Sequence, residues 1–385
     1  MSRYSGSDLA AGAVSVFGAF DFDRRPEGVS PRRLPSWTRP QMPRVMDAIV
    51  RMPSGVRLAF ETDSTTLALE AQTTRMVTPP GAPQPMAFDL VVDGGMPQVW
   101  SSMGGNTIWL ERANPDAFRL ERGAAHTVVW SGLPARRKRC EIWLPHNGFV
   151  ELRALTLDAD AVLVPAPTPA AGRWVHYGSS ISHCLEAESP TGVWPAVTAA
   201  ATGLHLTSLG FGGQCHLDPF VARTIRDTAA DLISLKVGIN VINGDTMRER
   251  VFVPALHGFL DTIRERCPTI PMVVISPIYC PSAETSPGPT FPGADGRFRT
   301  EPGHERLRAG CLTLTRVRTL ISEVVADRQA RGDAALFHVD GLELFGAADA
   351  PDLPDDLHPN PAGYRRMGER FAATLRRLGL VAVSG

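Results

Sequence analysis

Between Val164 and Pro169 the chain reads Val-Pro-Ala-Pro-Thr-Pro, and the hydrophobic pattern differs on its two sides. Three prolines in six residues cannot sit inside a helix or a central strand, so they read as an extended linker and mark a boundary. Before it, from about Val14, apolar residues recur at every second position, as in Leu58-Ala59-Phe60 and Leu67-Ala68-Leu69-Glu70-Ala71. That is the period of a half-buried strand. Phe88 to Val92 runs into the turn signal Asp93-Gly94-Gly95, and Thr127–Trp130, Cys140–Leu144 and Phe149–Leu157 are further strands. Many short strands with almost no helical period predict a β-sandwich of the jelly-roll kind. At roughly 150 residues per domain, the 385 residues make two. The expected division is an all-β domain over residues 1–165 and a second domain over residues 173–385.

After the linker, strands alternate with helices. Trp174–Tyr177, Leu206–Leu209, Leu232–Val237, Met272–Ile275 and Leu336–Val339 read as strands. Trp194–Ala201, Thr246–Arg266, Leu314–Arg331 and Ala362–Leu378 read as helices, and Asp218-Pro219 as the N-cap and first position of another. This alternation predicts a parallel sheet covered on both faces, a three-layer α/β/α domain. Ligands of such sheets lie beyond the carboxyl ends of the strands.

Those strand ends carry the chemistry. Gly178-Ser179-Ser180-Ile181-Ser182-His183 follows the first strand, Gly210-Phe211-Gly212-Gly213-Gln214 the second and Gly238-Ile239-Asn240 the third. Asp355-Asp356-Leu357-His358 stands just before the last helix. A serine, a histidine with an acid three residues earlier, and an asparagine among glycines together supply a nucleophile, a base, an orienting carboxylate and oxyanion donors.

These four blocks resemble, in order, those of the SGNH or GDSL-type serine hydrolases: Gly178-x-Ser180, the lone Gly213, Gly238-x-Asn240 and Asp355-x-x-His358. The resemblance covers about residues 173–380, and a β-sandwich ahead of such a domain is similar to a subgroup that includes acyltransferases of antibiotic biosynthesis. One departure is that Ser179 stands where the family usually has Asp. Ser179 and Ser180 are thus both candidates for the nucleophile, and the position of Gly178 and Ile181 favours Ser180. The resemblance implies a flavodoxin-like α/β/α hydrolase domain in which Ser180, His358 and Asp355 form a triad. It implies that the N–H groups of Ser180 and Gly213 and the Asn240 amide face the oxyanion, with no metal and no cofactor. His183 and His216 stand beside the expected pocket as candidate substrate contacts, a plain loop role being the competing reading.

The implied activity is carboxyl-ester hydrolysis through an acyl-enzyme, on a small-molecule ester or acyl donor. Acyl transfer to a natural-product or sugar hydroxyl uses the same residues. A reading of another class, a carbohydrate- or partner-binding protein with an inactive second domain, is opposed by retention of all four blocks. The sandwich itself is expected to shape the site entrance or to form a homo-oligomer contact.

Composition excludes several classes. Lys+Arg (39) and Asp+Glu (40) cancel to a net −1, so no basic field draws nucleic acid or an anionic membrane. The one dense basic run, Arg136-Arg137-Lys138-Arg139, reads as a solvated turn. No apolar stretch approaches membrane-spanning length. Leu9 to Phe20 fits a secretory signal poorly, because acidic Asp8, Asp21 and Asp23 flank it. Six scattered cysteines without a CxxC point to free thiols and a cytoplasmic location. His176, His183, His205 and His216 lack zinc-site spacing. Gly210 to Cys215 half-matches a dinucleotide fingerprint, but it follows the second strand and no acid closes the next. The proline- and glycine-rich stretch Ser276–Gly303 is too long for a bare connection, and is expected to form part of the acyl or alcohol pocket wall.

Overall fold

A computed structural model of the chain describes residues 1–79, 81–111, 114–301 and 305–382. They fall into two compact units. The first is Met1–Thr168 with Ser189–Thr191, and the second is Pro169–Glu188 with Gly192–Gly385.

The first unit is built on two antiparallel-rich sheets that share one core. One sheet orders Asn114–Glu121, Asn106–Glu111, Leu67–Val77, Gly148–Leu157, Val29–Arg32 and Asp21–Arg24. The other orders Val164–Pro165, Arg57–Thr62, Lys138–Trp143, Met86–Val92 and Gln98–Ser102. Along Leu67–Val77 buried and half-buried residues alternate without a break, so the predicted period of two is the period of burial. Leu58, Phe60, Leu67, Leu69, Phe88, Ile142 and Leu155 from both sheets meet in the shared core. Each such side chain contributes about 1.5–3 kcal/mol on burial.

Two expectations need correction here. The proline stretch does not start as a free linker: Val164–Pro165 pairs with Glu61 and Phe60, and the Ala166 N–H donates to Ala59 O at 3.1 Å. Proline is tolerated there because the strand lies at the sheet edge, where one side of the backbone needs no partner. The basic run is not a solvated turn throughout. Arg136 pairs with Asp93 and Arg137 with Glu61, while Lys138 is buried and its ammonium donates to the Thr62 and Ser64 carbonyls. Within Leu9 to Phe20, Leu9, Val14 and Phe17 are buried, and Leu9 and Val14 join the core of the two sheets. A cavity of about 580 Å³ in this unit is lined by Arg25, Arg51, Gln72, Asn106, Arg122 and Phe149 among others.

The second unit carries a five-stranded parallel sheet. In chain order its strands are Arg173–Gly178, His205–Gly210, Leu232–Lys236, Met272–Ile275 and Leu336–Val339, and across the sheet they run second, first, third, fourth, fifth. That is the flavodoxin-like order. The helices Trp194–Thr202, Pro219–Asp227, Glu249–Arg264, Leu314–Ala330 and Pro361–Arg377 cover it. Trp174, Trp194 and Phe371 form an aromatic cluster with ring centroids 5.5–6.3 Å apart. Asp218 does stand at the N-cap of Pro219–Asp227, but its side chain makes no capping hydrogen bond, and burial raises its carboxyl to about 6. The predicted helix from Thr246 begins later, at Glu249, and a short helix Ile239–Asn243 precedes it. Among the described residues no helix is long and apolar enough to cross a membrane.

Candidate active site

The first strand of the parallel sheet ends at Gly178, and the chain turns at once into the helix Ser180–His183. Ser179 is its N-cap: its Oγ accepts from the Ile181 N–H, and the residue is fully buried. The turn rests on a buried polar chain. Trp174 Nε1 donates to Ser234 Oγ, His176 Nδ1 lies 2.7 Å from that oxygen, and His176 Nε2 lies 2.8 Å from Ser182 Oγ. Burial, reinforced by the nearby Lys236 charge, pushes the His176 imidazole down to about 3, so it stays neutral. His176 therefore works as a hydrogen-bonding prop. The second strand must end in glycine, because a Cβ on Gly210 would lie 2.4 Å from the Ser182 carbonyl carbon.

Ser180, first in that helix, presents its Oγ 2.9 Å from His358 Nε2. His358 Nδ1 is 2.7 Å from Asp355 Oδ2. The other oxygen of Asp355 accepts from the backbone N–H groups of Leu357 and His358, at 2.9 and 2.7 Å. One carboxylate thus shapes its own loop and aims the imidazole. Burial works against ionising Asp355, but the bonds from His358 and Leu357 outweigh it and hold the carboxyl below its usual range. For His358 burial disfavours the imidazolium. The charge of Glu186 and the bond to Asp355 outweigh that, and the imidazole rises to about 9. Asp356 points away and pairs with Arg297 at 2.8 Å.

The oxyanion candidates lie on the next two strand ends. Gly212 lies against the nucleophile, where a Cβ would be 3.9 Å from Ser180 Cβ, and Gly213 follows with φ +68°. Asn240 is buried, and its Oδ1 accepts from the Cys215 N–H at 2.9 Å. That bond assigns the amide oxygen to the Cys215 N–H, so the other end of the amide carries the NH₂ donors. Gly238, just before it, has φ +114°, and a Cβ there would meet Val317 Cγ1 at 2.6 Å. Only glycine suits both demands.

The two candidate contact histidines stand on the helix of Ser180 (His183) and just after Cys215 (His216). His183 is fully buried, and its Nδ1 accepts from the Gly212 N–H at 3.4 Å, so it props the Gly212–Gly213 loop. His216 is half-buried near Gly244, at the end of the Asn240 helix.

Within Ser276–Gly303, of which Pro302 and Gly303 lie outside the described residues, Thr290–Pro292 and Phe298–Thr300 form a hairpin. It leans on the histidine loop: the Phe298 N–H donates to Asp355 O, and the Phe298 ring meets that of His358 edge-on at 5.6 Å. Sequence reasoning did not find Glu186 or Tyr364. Glu186 Oε1 is 3.7 Å from His358 Nδ1, and its Oε2 accepts from Tyr364 Oη at 2.7 Å. No local motif marks Glu186, which is one of two glutamates in Cys184-Leu-Glu-Ala-Glu188. Among the described residues no cluster of three or more His, Cys, Asp or Glu could hold a metal ion.

Comparison with known proteins agrees with this layout. Residues 176–366 match the model of the GDSL-like Lipase/Acylhydrolase family, and residues 14–153 match that of the SsfX3 N-terminal domain. No curated protein matches. Among solved structures, a salicylyl-acyltransferase, SsfX3, from a tetracycline biosynthetic pathway is 29% identical with a TM-score of 0.80, over 98% of this chain and 97% of that one. Two family-two carbohydrate esterases share the fold at lower identity. The one from Clostridium thermocellum is 16% identical (TM-score 0.58, 95% and 100% covered), and that from Cellvibrio japonicus 15% (TM-score 0.57, 98% and 97%). Residues 176–366 belong to the GDSL-like lipase/acylhydrolase family and follow an SsfX3-type N-terminal domain, and the chain is an enzyme of the esterase or acyltransferase kind.

Proposed function

We propose that the chain is a serine-dependent carboxyl-ester hydrolase of small-molecule esters, working through a Ser180 acyl-enzyme. The observation that carries this is the run of two short contacts, Ser180 Oγ to His358 Nε2 and His358 Nδ1 to Asp355 Oδ2. His358 takes the Ser180 proton as Oγ attacks the ester carbonyl, and returns it to the departing alkoxide. Water, deprotonated by the same nitrogen, then attacks the acyl carbonyl, and Ser180 leaves with the proton. Asp355 holds the Nδ1–H tautomer and stabilises the imidazolium formed in each half. The N–H groups of Ser180 and Gly213 and the Asn240 Nδ2 donors receive the oxyanion.

The test is turnover of short-chain p-nitrophenyl esters, followed by absorbance and by intact mass. A burst with one acyl group added to the protein is expected; an inert protein without an adduct removes the reading. Asn240→Ala should lower kcat about 10²–10³-fold while leaving KM nearly unchanged, since the lost donor acts on charge that exists only in the transition state.

The pH profile has a definite sign. The base must be neutral, and His358 is raised to about 9. The kcat/KM of the free enzyme should therefore climb through pH 7 and 8 and level off only above about 9. Stability runs the other way: the contribution of this raised group is full below its unfolded value of about 6.5 and is lost as pH rises through about 9.

A second reading, acyl transfer to a small-molecule hydroxyl, is favoured by the 29% identity to the SsfX3 acyltransferase over nearly the whole chain. Hydrolysis and transfer share every residue above and differ in whether water or an alcohol reaches the acyl-enzyme. Adding phenolic and sugar alcohols to the ester assay separates them, because transfer yields the acylated alcohol in place of the free acid.

A further inference from the structure

We propose that Glu186, moored by Tyr364, is a positioning residue for the reaction: a second carboxylate that acts on His358 through space. The inference rests on the Ser180–His358–Asp355 reading and adds a residue outside the four sequence blocks.

The geometry separates the two carboxylates. A neutral imidazole whose Nε2 accepts from Ser180 carries one proton on Nδ1, and Asp355 Oδ2 at 2.7 Å takes that hydrogen bond. Glu186 Oε1, at 3.7 Å from the same nitrogen, is too far to compete for the proton. It is close enough for its charge to be felt: the His358 side chain is 12% exposed and that of Glu186 33%, so water screens the pair only in part. A mobile carboxylate would swing into solvent. This one is held through Oε2 by the Tyr364 hydroxyl at 2.7 Å, and Tyr364 is fully buried in the first turn of Pro361–Arg377. Burial, then the Glu186 charge, raises the Tyr364 phenol well above its ordinary value, so it remains a donor at every pH at which the enzyme works.

Among the described residues, three other groups face the imidazole. Asp355 is on its own loop, Ser180 approaches from the nucleophile turn and the uncharged Phe298 ring from the hairpin. The nearby charges of Asp356 and Arg297 neutralise each other in an ion pair. Two negative groups therefore act on one histidine. Protonation of His358 relieves their repulsion, so the imidazolium formed in acylation and again in deacylation is favoured beyond what Asp355 alone provides. The cost is a base that is free only at alkaline pH.

Glu186→Gln tests this, since glutamine keeps the Tyr364 hydrogen bond and the volume and removes only the charge. The wild-type kcat/KM profile and the rate of Ser180 labelling by a fluorophosphonate are measured first. An unlabelled wild type would defeat the hydrolase reading itself, before any variant is compared. With a labelled wild type, Glu186→Gln should move the acid limb of both profiles to lower pH by roughly one unit or more. The His358 ring-proton titration followed by NMR should move with it. An unmoved limb, with activity either unchanged or lowered equally at every pH, overturns the proposal and leaves Glu186 a structural residue. If Glu186→Gln does not fold, Tyr364→Phe decides. Its carboxylate is kept but unmoored, so a smaller shift in the same direction supports the proposal, and an unmoved limb refutes it.

Discussion

Ser180→Ala should abolish fluorophosphonate labelling and lower kcat by about 10⁴–10⁶-fold, leaving the residue of catalysis that binding and the oxyanion donors supply. Intact mass should show one adduct on the wild type and none on this variant. Ser179→Ala is the informative control, because sequence alone left both serines open. The Ser179 side chain is buried at the helix N-cap and engaged with the Ile181 N–H. Its removal should cost about 1 kcal/mol of stability while the adduct on Ser180 persists. An adduct lost with Ser179→Ala and kept with Ser180→Ala would reverse the assignment.

Asp355→Asn should be nearly as damaging, with kcat down by about 10⁴-fold, and here the loop geometry supplies the reason. Asp355 Oδ1 accepts two backbone N–H groups, from Leu357 and His358. An asparagine must keep its oxygen there, since turning the amide over would set NH₂ against two donors. Its Nδ2 then faces His358 Nδ1, which must become an acceptor. The imidazole proton moves to Nε2, and the nitrogen that should take the Ser180 proton already holds one. Asp355→Ala frees the imidazole from this constraint and should be less harmful at high pH than Asp355→Asn. Single-turnover acylation of the two variants checks this, and equal loss in both would remove the tautomer argument.

The strands of both units were legible because burial has a simple period. Leu67–Val77 alternates residue by residue, and Met272–Ile275 is a run of four buried apolar residues bounded by proline and serine. Three of the four chemical blocks were legible because each sits where a parallel strand ends, which the alternation of strand and helix already locates; the fourth stands just before the last helix. Less legible were the features that depend on an edge or a distant partner. Val164–Pro165 reads as linker until the edge of Arg57–Thr62 is seen to pair with it. Lys138 reads as solvated until the Thr62 and Ser64 carbonyls are found around its ammonium. The bond from the Gly212 N–H to the His183 ring likewise has no mark in the sequence, because it joins the ends of two strands.

The sequence by itself determined the alternation of strands and helices after the prolines, the change of architecture at them and the residue types available at the strand ends. These follow from local rules: the period of apolar residues, the backbone freedom of glycine, and the break that proline imposes. The tertiary structure alone decided which of those residues face one another. Ser180 and His358 are 178 residues apart and meet at 2.9 Å. Tyr364 and Glu186, also 178 apart, meet at 2.7 Å with no shared motif. Hydrogen bonds and charge act over a few ångströms of space and are blind to distance along the chain. Only the packing of the last helix and its preceding loop against the end of the first strand could set them.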